Sequence, residues 1–170
     1  MFAPFVPLLK TIPGDIAEVG VFQGNSAFQL ATTFKGRRIH LFDTFSGMPE
    51  SDPSIDTHKK GDFNNTSVEI VKEKLKAFSN IIYHEGLFPE TAPRVGLASF
   101  AFVNVDVDLY SSMKACLDFF FPRLTKGGFL FIQDDYNFSN CKGVTKATDE
   151  FIKANNLSLL KKGSSVWIIK

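Results

Sequence analysis

Short apolar runs alternate along this chain with longer segments whose apolar residues recur at helical spacing. This alternation is typical of βα units that wind around a parallel sheet. The apolar runs predict five strands, at Asp15–Gly20, Arg38–Phe42, Ile81–His84, Phe100–Val105 and Phe129–Gln133. The tail, residues 157–160 and 165–169 on either side of Lys161-Lys162-Gly163-Ser164, predicts a hairpin. We therefore expect one α/β domain over residues 1–170, with a doubly wound, mostly parallel sheet that ends in an antiparallel hairpin.

The segments between the strands predict helices over about residues 26–34, from 66 onward, from 111 or 112 to 122, and over about 142–155. Thr66 and Glu69 have the spacing of a capping box, so the second helix is expected to begin at Thr66. Ser111 or Ser112 is the expected cap of the third helix, and residues 126–128 are expected to form a turn. Residues 43–65 remain as a long loop, and a loop of that length in a compact domain usually has a function.

The first candidate site is the turn that follows the first predicted strand, residues 18–26. Glu18 ends the strand, and Gly20 and Gly24 would let a ligand approach the backbone closely. The start of the next helix offers unpaired N–H groups and a positive dipole to a carboxylate. Phe22 stands where a dinucleotide-binding turn has its middle glycine, which argues against a dinucleotide. On this motif alone, a tight turn without a ligand is an equally good interpretation.

Asp43 ends the second predicted strand and is the second candidate. An acidic residue about 20 residues beyond a glycine turn commonly binds a ribose hydroxyl, although Asp43 could equally be a cap or a loop carboxylate. Together the two sites favour an adenosine cofactor. The expected contacts are Glu18, Gly20, Val21, Phe22, Gly24, Asn25, Ser26, Asp43 and Thr44.

Acidic residues also follow two neighbouring predicted strands. Asp106 and Asp108 come after the fourth strand, and Asp134 and Asp135 come after the fifth. Adjacent parallel strands would bring these acids to one rim, where they repel each other unless a cation lies between them. Carboxylate oxygens suit Mg²⁺ or another hard divalent cation. We expect Asp106, Asp134 and Asp135 to be metal ligands, with Asp108 either a fourth ligand or a cap for the next helix; loop ends and caps are the alternative for the whole set.

These residue types suit the activation of an acceptor hydroxyl. A metal that binds an acceptor hydroxyl lowers the pKa of that hydroxyl and fixes its approach, so Asp106 is expected to serve catalysis as well as metal binding. His58, on the long loop that should cover the rim, is the candidate base, with a solvated loop histidine as the alternative. His40 and His84 lie within or at the end of predicted strands and are expected to be structural.

Composition narrows the function classes. Of the 170 residues 44% are hydrophobic and 22% are charged, and the 19 Phe predict an aromatic core. The net charge is +1 with both signs interspersed, so nothing favours a nucleic acid partner. With only Cys116 and Cys141 there is no disulfide framework, and a reducing cytoplasm is the expected location. No apolar run reaches the roughly 20 residues of a membrane span.

Five segments resemble the macrocin-type O-methyltransferases and together cover nearly the whole chain. They are IAEVGVFQGNSA (16–27), FDTFSGMP (42–49), VDVDLYSS (105–112), FIQDDY (131–136) and CKGVTKA (141–147). Members of this family methylate sugar hydroxyls on macrolide antibiotics. The resemblance implies the Rossmann-like class I methyltransferase fold, with a seven-stranded sheet of order 3-2-1-4-5-7-6 and strand 7 antiparallel. It also implies S-adenosyl-L-methionine and Mg²⁺ as cofactors, and a small hydroxylated acceptor such as a sugar or a glycosylated natural product.

The resemblance also implies roles for individual residues. It places the metal on Asp106, Asp134 and Asp135, the cofactor on residues 18–26 and Asp43, and a proposed histidine base in the region of His58. About a dozen residues precede the first predicted strand, fewer than in members that act on macrolides, so enclosure of a large acceptor and a homo-oligomer stay open. The alternatives are a dehydrogenase or aminopropyl transferase on the same fold, and a non-catalytic binding domain.

Overall fold

The computed structural model of this chain describes residues 2, 5–133, 135–163 and 165–170. Its strands are β1 (Asp15–Val19), β2 (Ile39–Asp43), β3 (Ile81–Glu85), β4 (Phe100–Val105), β5 (Leu124–Ile132), β6 (Leu160–Lys162) and β7 (Ser165–Ile169). They form one seven-stranded sheet in the order β3-β2-β1-β4-β5-β7-β6. Strands β1 to β5 pair in parallel, and β7 is antiparallel to both β5 and β6. The predicted strand order and the antiparallel seventh strand are confirmed.

Helices cover both faces of the sheet. They are α1 (Val6–Leu9), α2 (Asn25–Thr33), α3 (Val68–Leu75), α4 (Tyr110–Arg123) and α5 (Lys142–Ala154), with a short 3-10 helix at Ala92–Val95. Leu30 of α2 and Val71 of α3 pack on one face, whereas Phe120 of α4 and Val144 of α5 pack on the other. No helix in the described part of the chain is both long enough and apolar enough to cross a membrane.

The core is built from aromatic rings around the central strands. Every residue of β1 and of β4 is buried, as expected for parallel strands that are covered on both faces. Phe102, in the middle of β4, is fully buried. Its ring lies 5.2 to 6.2 Å, centroid to centroid, from the rings of Phe2, Phe5, Phe34, Phe129 and Phe131. The abundance of Phe is therefore explained by the core, as the composition predicts.

Two local predictions are wrong. The cap of α3 is Ser67, whose side chain accepts a hydrogen bond from the Ile70 N–H at 3.3 Å, while the Thr66 hydroxyl donates to the carbonyl of Phe22. Strand β5 begins at Leu124 and includes residues 126–128, which were expected to form a turn. The chain stays extended there because the backbone of Lys170 exchanges hydrogen bonds with residues 127 and 128.

Other boundaries shift by a few residues. Strand β6 starts at Leu160 rather than at 157, because the Leu157 N–H closes onto the Ile152 carbonyl at the end of α5. Helix α4 begins at Tyr110, so neither Ser111 nor Ser112 is its cap. Ser164, in the predicted hairpin turn, lies outside the described residues.

A chain of polar side chains crosses the strands β1, β2 and β3. The Nε2 of His40 lies 3.2 Å from the carboxylate of Asp15, and its Nδ1 lies 2.9 Å from Nε2 of His84. A carboxylate can only accept, so His40 donates to Asp15 and accepts from His84. Burial lowers the pKa of His40, and burial together with the positive charges of His40 and Arg94 lowers the pKa of His84 to about 4. Both histidines are buried, in keeping with a structural role.

Candidate active site

A cavity of about 390 Å³ opens at the carboxyl ends of β1, β2 and β4, where ligands bind in open α/β sheets. Most of the predicted cofactor contacts line it: Gly20, Val21, Phe22, Asn25, Ser26, Asp43 and Thr44. Asp106, Asp108 and Gln133 join them from the ends of β4 and β5. Glu18 and Gly24 are not part of the lining. Gly24 instead shapes the entry into α2, with a φ of 76° and its backbone close to Val71.

Gly20 lets β1 and β4 end in direct contact. A Cβ added at this glycine would lie 1.7 Å from the carbonyl oxygen of Asp106. The Asp106 N–H donates to the Val19 carbonyl at 2.9 Å and holds the two strand ends together, while the Gly20 N–H donates to the Phe42 carbonyl of β2 at 3.0 Å. Only glycine fits this position, and its absent side chain brings the candidate metal ligand to the floor of the cavity.

The carboxylate of Asp43 holds the turn between β1 and α2. One of its oxygens accepts the N–H groups of Val21 at 2.6 Å and Phe22 at 2.8 Å, and the other accepts the N–H of Phe45 at 2.7 Å. Asp43 is therefore a loop-organising carboxylate, the alternative reading of its sequence position. It also lines the cavity, and a carboxylate with two oxygens has lone pairs left for a hydroxyl.

Glu18 is a fully buried acid below the same turn. Its Oε1 accepts a hydrogen bond from Asn104 Nδ2 at 2.7 Å, and the same amide lies 3.1 Å from Gln133 Oε1. The Glu18 Oε2 and the Asn104 Oδ1 are buried without a hydrogen-bond partner among the described residues. Burial, and then the negative charges of Asp106 and Asp43, raise the pKa of Glu18 to about 8. This ladder across β1, β4 and β5 leaves two acceptors that a cationic or N–H-bearing ligand group could satisfy.

Three of the four candidate metal ligands can be placed. Asp106 lines the cavity, and Asp135 is 7% exposed at the end of β5. Burial, followed by the negative charges of Asp106 and Asp108, raises the pKa of Asp135, and its Oδ2 has no hydrogen-bond partner in the described structure. Asp134, the third predicted ligand, lies outside the described residues. The structure thus brings Asp106, Asp108 and Asp135 together at one rim.

His58 lies over this rim between two carboxylates. Its Nδ1 is 3.4 Å from Asp62 Oδ2 and its Nε2 is 3.9 Å from Asp108 Oδ1, with 18% of the side chain exposed. The ring also packs against Phe63, whose centroid is 5.3 Å away. His58 does not line the cavity itself, but Phe63 and Asp108, which contact it, do.

The long loop that carries His58 is tied down by Asp56. The carboxylate of Asp56 is 7% exposed and accepts the N–H of Tyr110 at 2.8 Å, so it caps α4 from another segment. Gly143, at the start of α5, makes room for it, since a Cβ there would lie 2.2 Å from Asp56 Oδ1. Asp108 is consequently not the cap of α4, and its carboxylate faces His58 and Cys141 instead.

Sequence reasoning missed Asp56 and Cys141. Asp56 gave no signal, because its partner is 54 positions away and no local capping pattern links the two. Cys141 lies in a segment that resembles the methyltransferase family, and its thiol donates a hydrogen bond to Asp108 Oδ1 at 3.3 Å. An isolated buried cysteine usually reads as a small apolar residue, which is why its place among the acids was not anticipated.

The sheet order and the cavity at the tips of β1 and β4 define a class I methyltransferase fold. The O-methyltransferase NovP has a TM-score of 0.85 at 21% identity, covering 98% of this chain and 78% of that one. The calicheamicin methyltransferase CalS11 has a TM-score of 0.80 at 25% identity, covering 95% and 74%. Residues 8–160 match the macrocin O-methyltransferase (TylF) family, and the chain belongs to that family, which confirms the resemblance.

Relatives in sequence include proteins of Streptomyces and Micromonospora. The chain is 29% identical over 151 residues to the 8-demethyl-8-(2,3-dimethoxy-alpha-L-rhamnosyl)-tetracenomycin-C 4'-O-methyltransferase of Streptomyces olivaceus, covering 79% of this chain and 58% of that enzyme. It is 26% identical over 149 residues to the mycinamicin III 3''-O-methyltransferase of Micromonospora griseorubida, covering 77% and 58%. The chain thus spans less than two thirds of the length of these relatives.

Proposed function

We propose that this chain transfers a methyl group from S-adenosyl-L-methionine to a hydroxyl of a small glycosylated molecule, with the help of a divalent metal. The observation that carries the proposal is the meeting of a cofactor-sized cavity with the acids Asp106, Asp108 and Asp135 at the tips of β4 and β5. Family membership and relatives that methylate sugars support the reaction and the acceptor class.

The residues of the β1–α2 turn fit this methyl donor. The free Oε2 of buried Glu18 offers an acceptor for the ammonium group of the methionine part. The first turn of α2, at Asn25 and Ser26, offers backbone N–H groups to its carboxylate. Asp43 is left to accept a ribose hydroxyl, and the apolar wall at Leu87 and Phe88 suits the adenine. When bound, the donor supplies an electrophilic methyl group on its sulfonium.

The acids at the rim fit a hard divalent cation. Asp106, Asp135 and, by its sequence position, Asp134 would hold it, and Asp108 lies close enough to be an additional ligand. Burial, followed by the negative charges of Asp106 and Asp108, raises the pKa of Asp135, and a bound cation would offset both effects. A Mg²⁺ ion at these residues would polarise the acceptor hydroxyl and lower its pKa.

His58 is the proposed base. Its imidazole can accept the proton of the acceptor hydroxyl, and the flanking carboxylates of Asp108 and Asp62 stabilise the imidazolium that forms. The 3.9 Å between Nε2 and Asp108 is longer than a hydrogen bond, so closure of the loop over the acceptor is expected to shorten it. Phe63, which is 45% exposed, offers an apolar surface beside the base for the ring of a sugar or aglycone.

Calorimetric titration tests the cofactor assignment. We expect S-adenosylhomocysteine to bind and NAD to give no heat of binding, because Phe22 blocks the close approach of a pyrophosphate. Binding of NAD in place of S-adenosylhomocysteine would favour an oxidoreductase and overturn the proposal.

Substitution of Asp106 tests the metal-assisted step. Asp106→Asn is expected to lower methyl transfer to glycosylated acceptors about a hundredfold or more, as for other groups that stabilise charge in the transition state, yet to spare S-adenosylhomocysteine affinity. Asp118→Asn, which removes an exposed acid paired with Lys114 on α4, is the matched control and should leave turnover intact. Turnover that persists in EDTA would defeat the metal part while leaving the methyl transfer standing.

A further inference from the structure

Beside the acids assigned to Mg²⁺ lies a group of donors of different chemistry. The Sγ of Cys141 is 3.3 Å from Asp108 Oδ1 and 3.8 Å from Asp135 Oδ1. The Nε2 of His58 is 3.9 Å from the same Asp108 oxygen. One ligand atom each from His58, Asp108 and Cys141 lies within 4.8 Å of the others. Side chains from the long loop, the β4 tip and the start of α5 thus lie close together, and Asp135 of the β5 tip adjoins them through Cys141.

We propose that His58, Asp108 and Cys141, with Asp135 beside them, form a site for a thiophilic divalent cation such as Zn²⁺, Co²⁺ or Cd²⁺, which overlaps the proposed Mg²⁺ site at Asp108 and Asp135. The role given to this site rests on the proposed function, whereas its existence does not.

The donors lie at or somewhat beyond the spacing of tetrahedral coordination. Bond lengths of about 2.0 Å to nitrogen and oxygen and about 2.3 Å to sulfur place neighbouring ligand atoms of a tetrahedron roughly 3.3 to 3.7 Å apart. The 3.3 Å between Cys141 Sγ and Asp108 Oδ1 matches such an edge, whereas the 3.9 Å between His58 Nε2 and Asp108 Oδ1 is somewhat longer. Since the three donor atoms lie within 4.8 Å of one another, a bound ion would draw them closer together.

An independent observation points to a missing cation at this place. Asp135 is 7% exposed, and its Oδ2 is buried with no hydrogen-bond partner in the described structure. The other carboxylate oxygen of Asp135 accepts a hydrogen bond from the Cys141 thiol, a weak donor, at 3.8 Å, and the carboxyl group also interacts with that of Asp106. A buried carboxylate oxygen in this state is costly unless a cation or a proton compensates it.

Donor chemistry selects the kind of cation. Imidazole nitrogen and thiolate sulfur bind Zn²⁺ and its relatives, whereas Mg²⁺ prefers carboxylates and water. A cysteine thiol is protonated near neutral pH and binds a metal as the thiolate. Binding would therefore exchange that proton for the metal: the S–H bond breaks, an S–metal bond forms, and one proton is released to solvent.

A thiophilic ion bound at this site would inhibit methyl transfer. A thiophilic ion would engage the proposed base, His58, and withdraw Asp135 from Mg²⁺. We therefore expect Zn²⁺ to inhibit methyl transfer in the presence of excess Mg²⁺, with inhibition that a chelator selective for Zn²⁺ reverses.

Titration of the whole protein with Cd²⁺ tests the site without turnover or cofactor. The expected result is an ultraviolet thiolate-to-Cd²⁺ charge-transfer band that saturates at one ion per chain, accompanied by proton release in weak buffer. Excess Mg²⁺ should not abolish the band. Cys141→Ser should remove it, and His58→Gln should weaken Cd²⁺ binding about tenfold or more. Cys116→Ala, which alters the other buried thiol on α4, is the matched control and should keep the band.

The outcomes separate the two proposals. No saturable band, or a band that survives in Cys141→Ser and vanishes in Cys116→Ala, would overturn this site even if Mg²⁺-dependent methyl transfer were found. A band with the expected variant pattern would uphold the site even in a protein that transfers no methyl group. Circular dichroism of each variant confirms that a lost band does not reflect a lost fold.

Discussion

At the scale of single residues, the site depends on a missing side chain at Gly20 and on an unpartnered carboxylate oxygen at Glu18. Gly20 lacks a side chain where β1 and β4 touch, and Glu18 lacks a partner for one buried oxygen. Both features lie in the turn that the sequence singled out. The glycine spacing was visible along the chain, whereas the 1.7 Å clash that forbids any other residue at Gly20 depends on Asp106, which is far away in sequence.

Replacing Gly20 should separate the strand tips. Gly20→Ala would place a methyl group against the Asp106 carbonyl at a φ of 86°, so we expect loss of S-adenosylhomocysteine binding and a lower melting temperature. Gly36→Ala is the control, because no atom lies within 4 Å of its added Cβ. Equal effects of the two substitutions in calorimetry and thermal unfolding would contradict this account.

Glu18 is expected to lower the free energy of unfolding at high pH while it strengthens the binding of S-adenosylhomocysteine. With a folded pKa raised to about 8 against 4.5, its stabilising proton is present at low pH and is lost as the pH rises through 8. Glu18→Gln removes that loss, so we expect the variant to gain on the order of 4 kcal/mol over the wild type in the free energy of unfolding above that pH. Its affinity for S-adenosylhomocysteine should fall, because the amide cannot carry a charge opposite the ammonium. Denaturant unfolding at pH 6 and 9 checks the first expectation, and a variant that gains nothing at pH 9 would refute it.

At the scale of elements, the loop of residues 43–65 is held over the rim of the sheet by the start of helix α4. Asp56 links this loop to α4, and Gly143 lets α5 close around the contact. The sequence indicated a functional loop from its length and placed His58 on it. The sequence could not show that Asp56 holds the loop to α4, because a helix cap supplied from another segment leaves no local sequence pattern.

Loss of the Asp56 cap should therefore affect catalysis as well as stability. Asp56→Ala is expected to cost about 1 kcal/mol of unfolding free energy and to lower turnover with little change in S-adenosylhomocysteine affinity, since His58 loses its support. Ser67→Ala, which removes the cap of α3 but no contact of the loop, should cost a similar free energy and spare turnover. If both variants lose turnover alike, the loop is not held through Asp56.

At the scale of the whole molecule, the alternation of apolar runs predicts a mostly parallel sheet and the rim where the site lies, whereas the strand order follows from the family resemblance. Burial explains the prediction of the strands, because parallel strands covered on both faces are mostly apolar. Strand β4 has Asn104 as its one polar residue, whereas β1 carries the buried acids Asp15 and Glu18. Predictions failed where pairing over long distances decides the outcome, as at residues 126–128, which Lys170 keeps extended. The cluster of His58, Asp108 and Cys141 also depends on contacts between segments that are distant in sequence, since three segments contribute to it.

The histidine pair should make the folded protein sensitive to acid. The folded pKa of His84 is about 4, below the 6.5 of an unfolded chain, so the unfolded state binds more protons and stability falls as the pH drops from 6.5 towards 4. We expect His84→Gln, which can still donate to His40, to reduce the wild-type loss between pH 7 and pH 5 by on the order of 2 kcal/mol. Thermal unfolding across this pH range measures the loss, and parallel curves for wild type and His84→Gln would exclude the pair as the cause.

The contact between Asp56 and Gly143 constrains any exchange of the loop of residues 43–65. A loop taken from a relative would bring a new residue to position 56 while α5 stays unchanged, and a Cβ at position 143 would lie 2.2 Å from the Asp56 carboxylate. Combinatorial libraries built on this chain should therefore keep both positions constant and vary the loop around them. In chimaeras that ignore the pairing, misplacement of the loop would mask any effect of the new loop sequence on ligand binding.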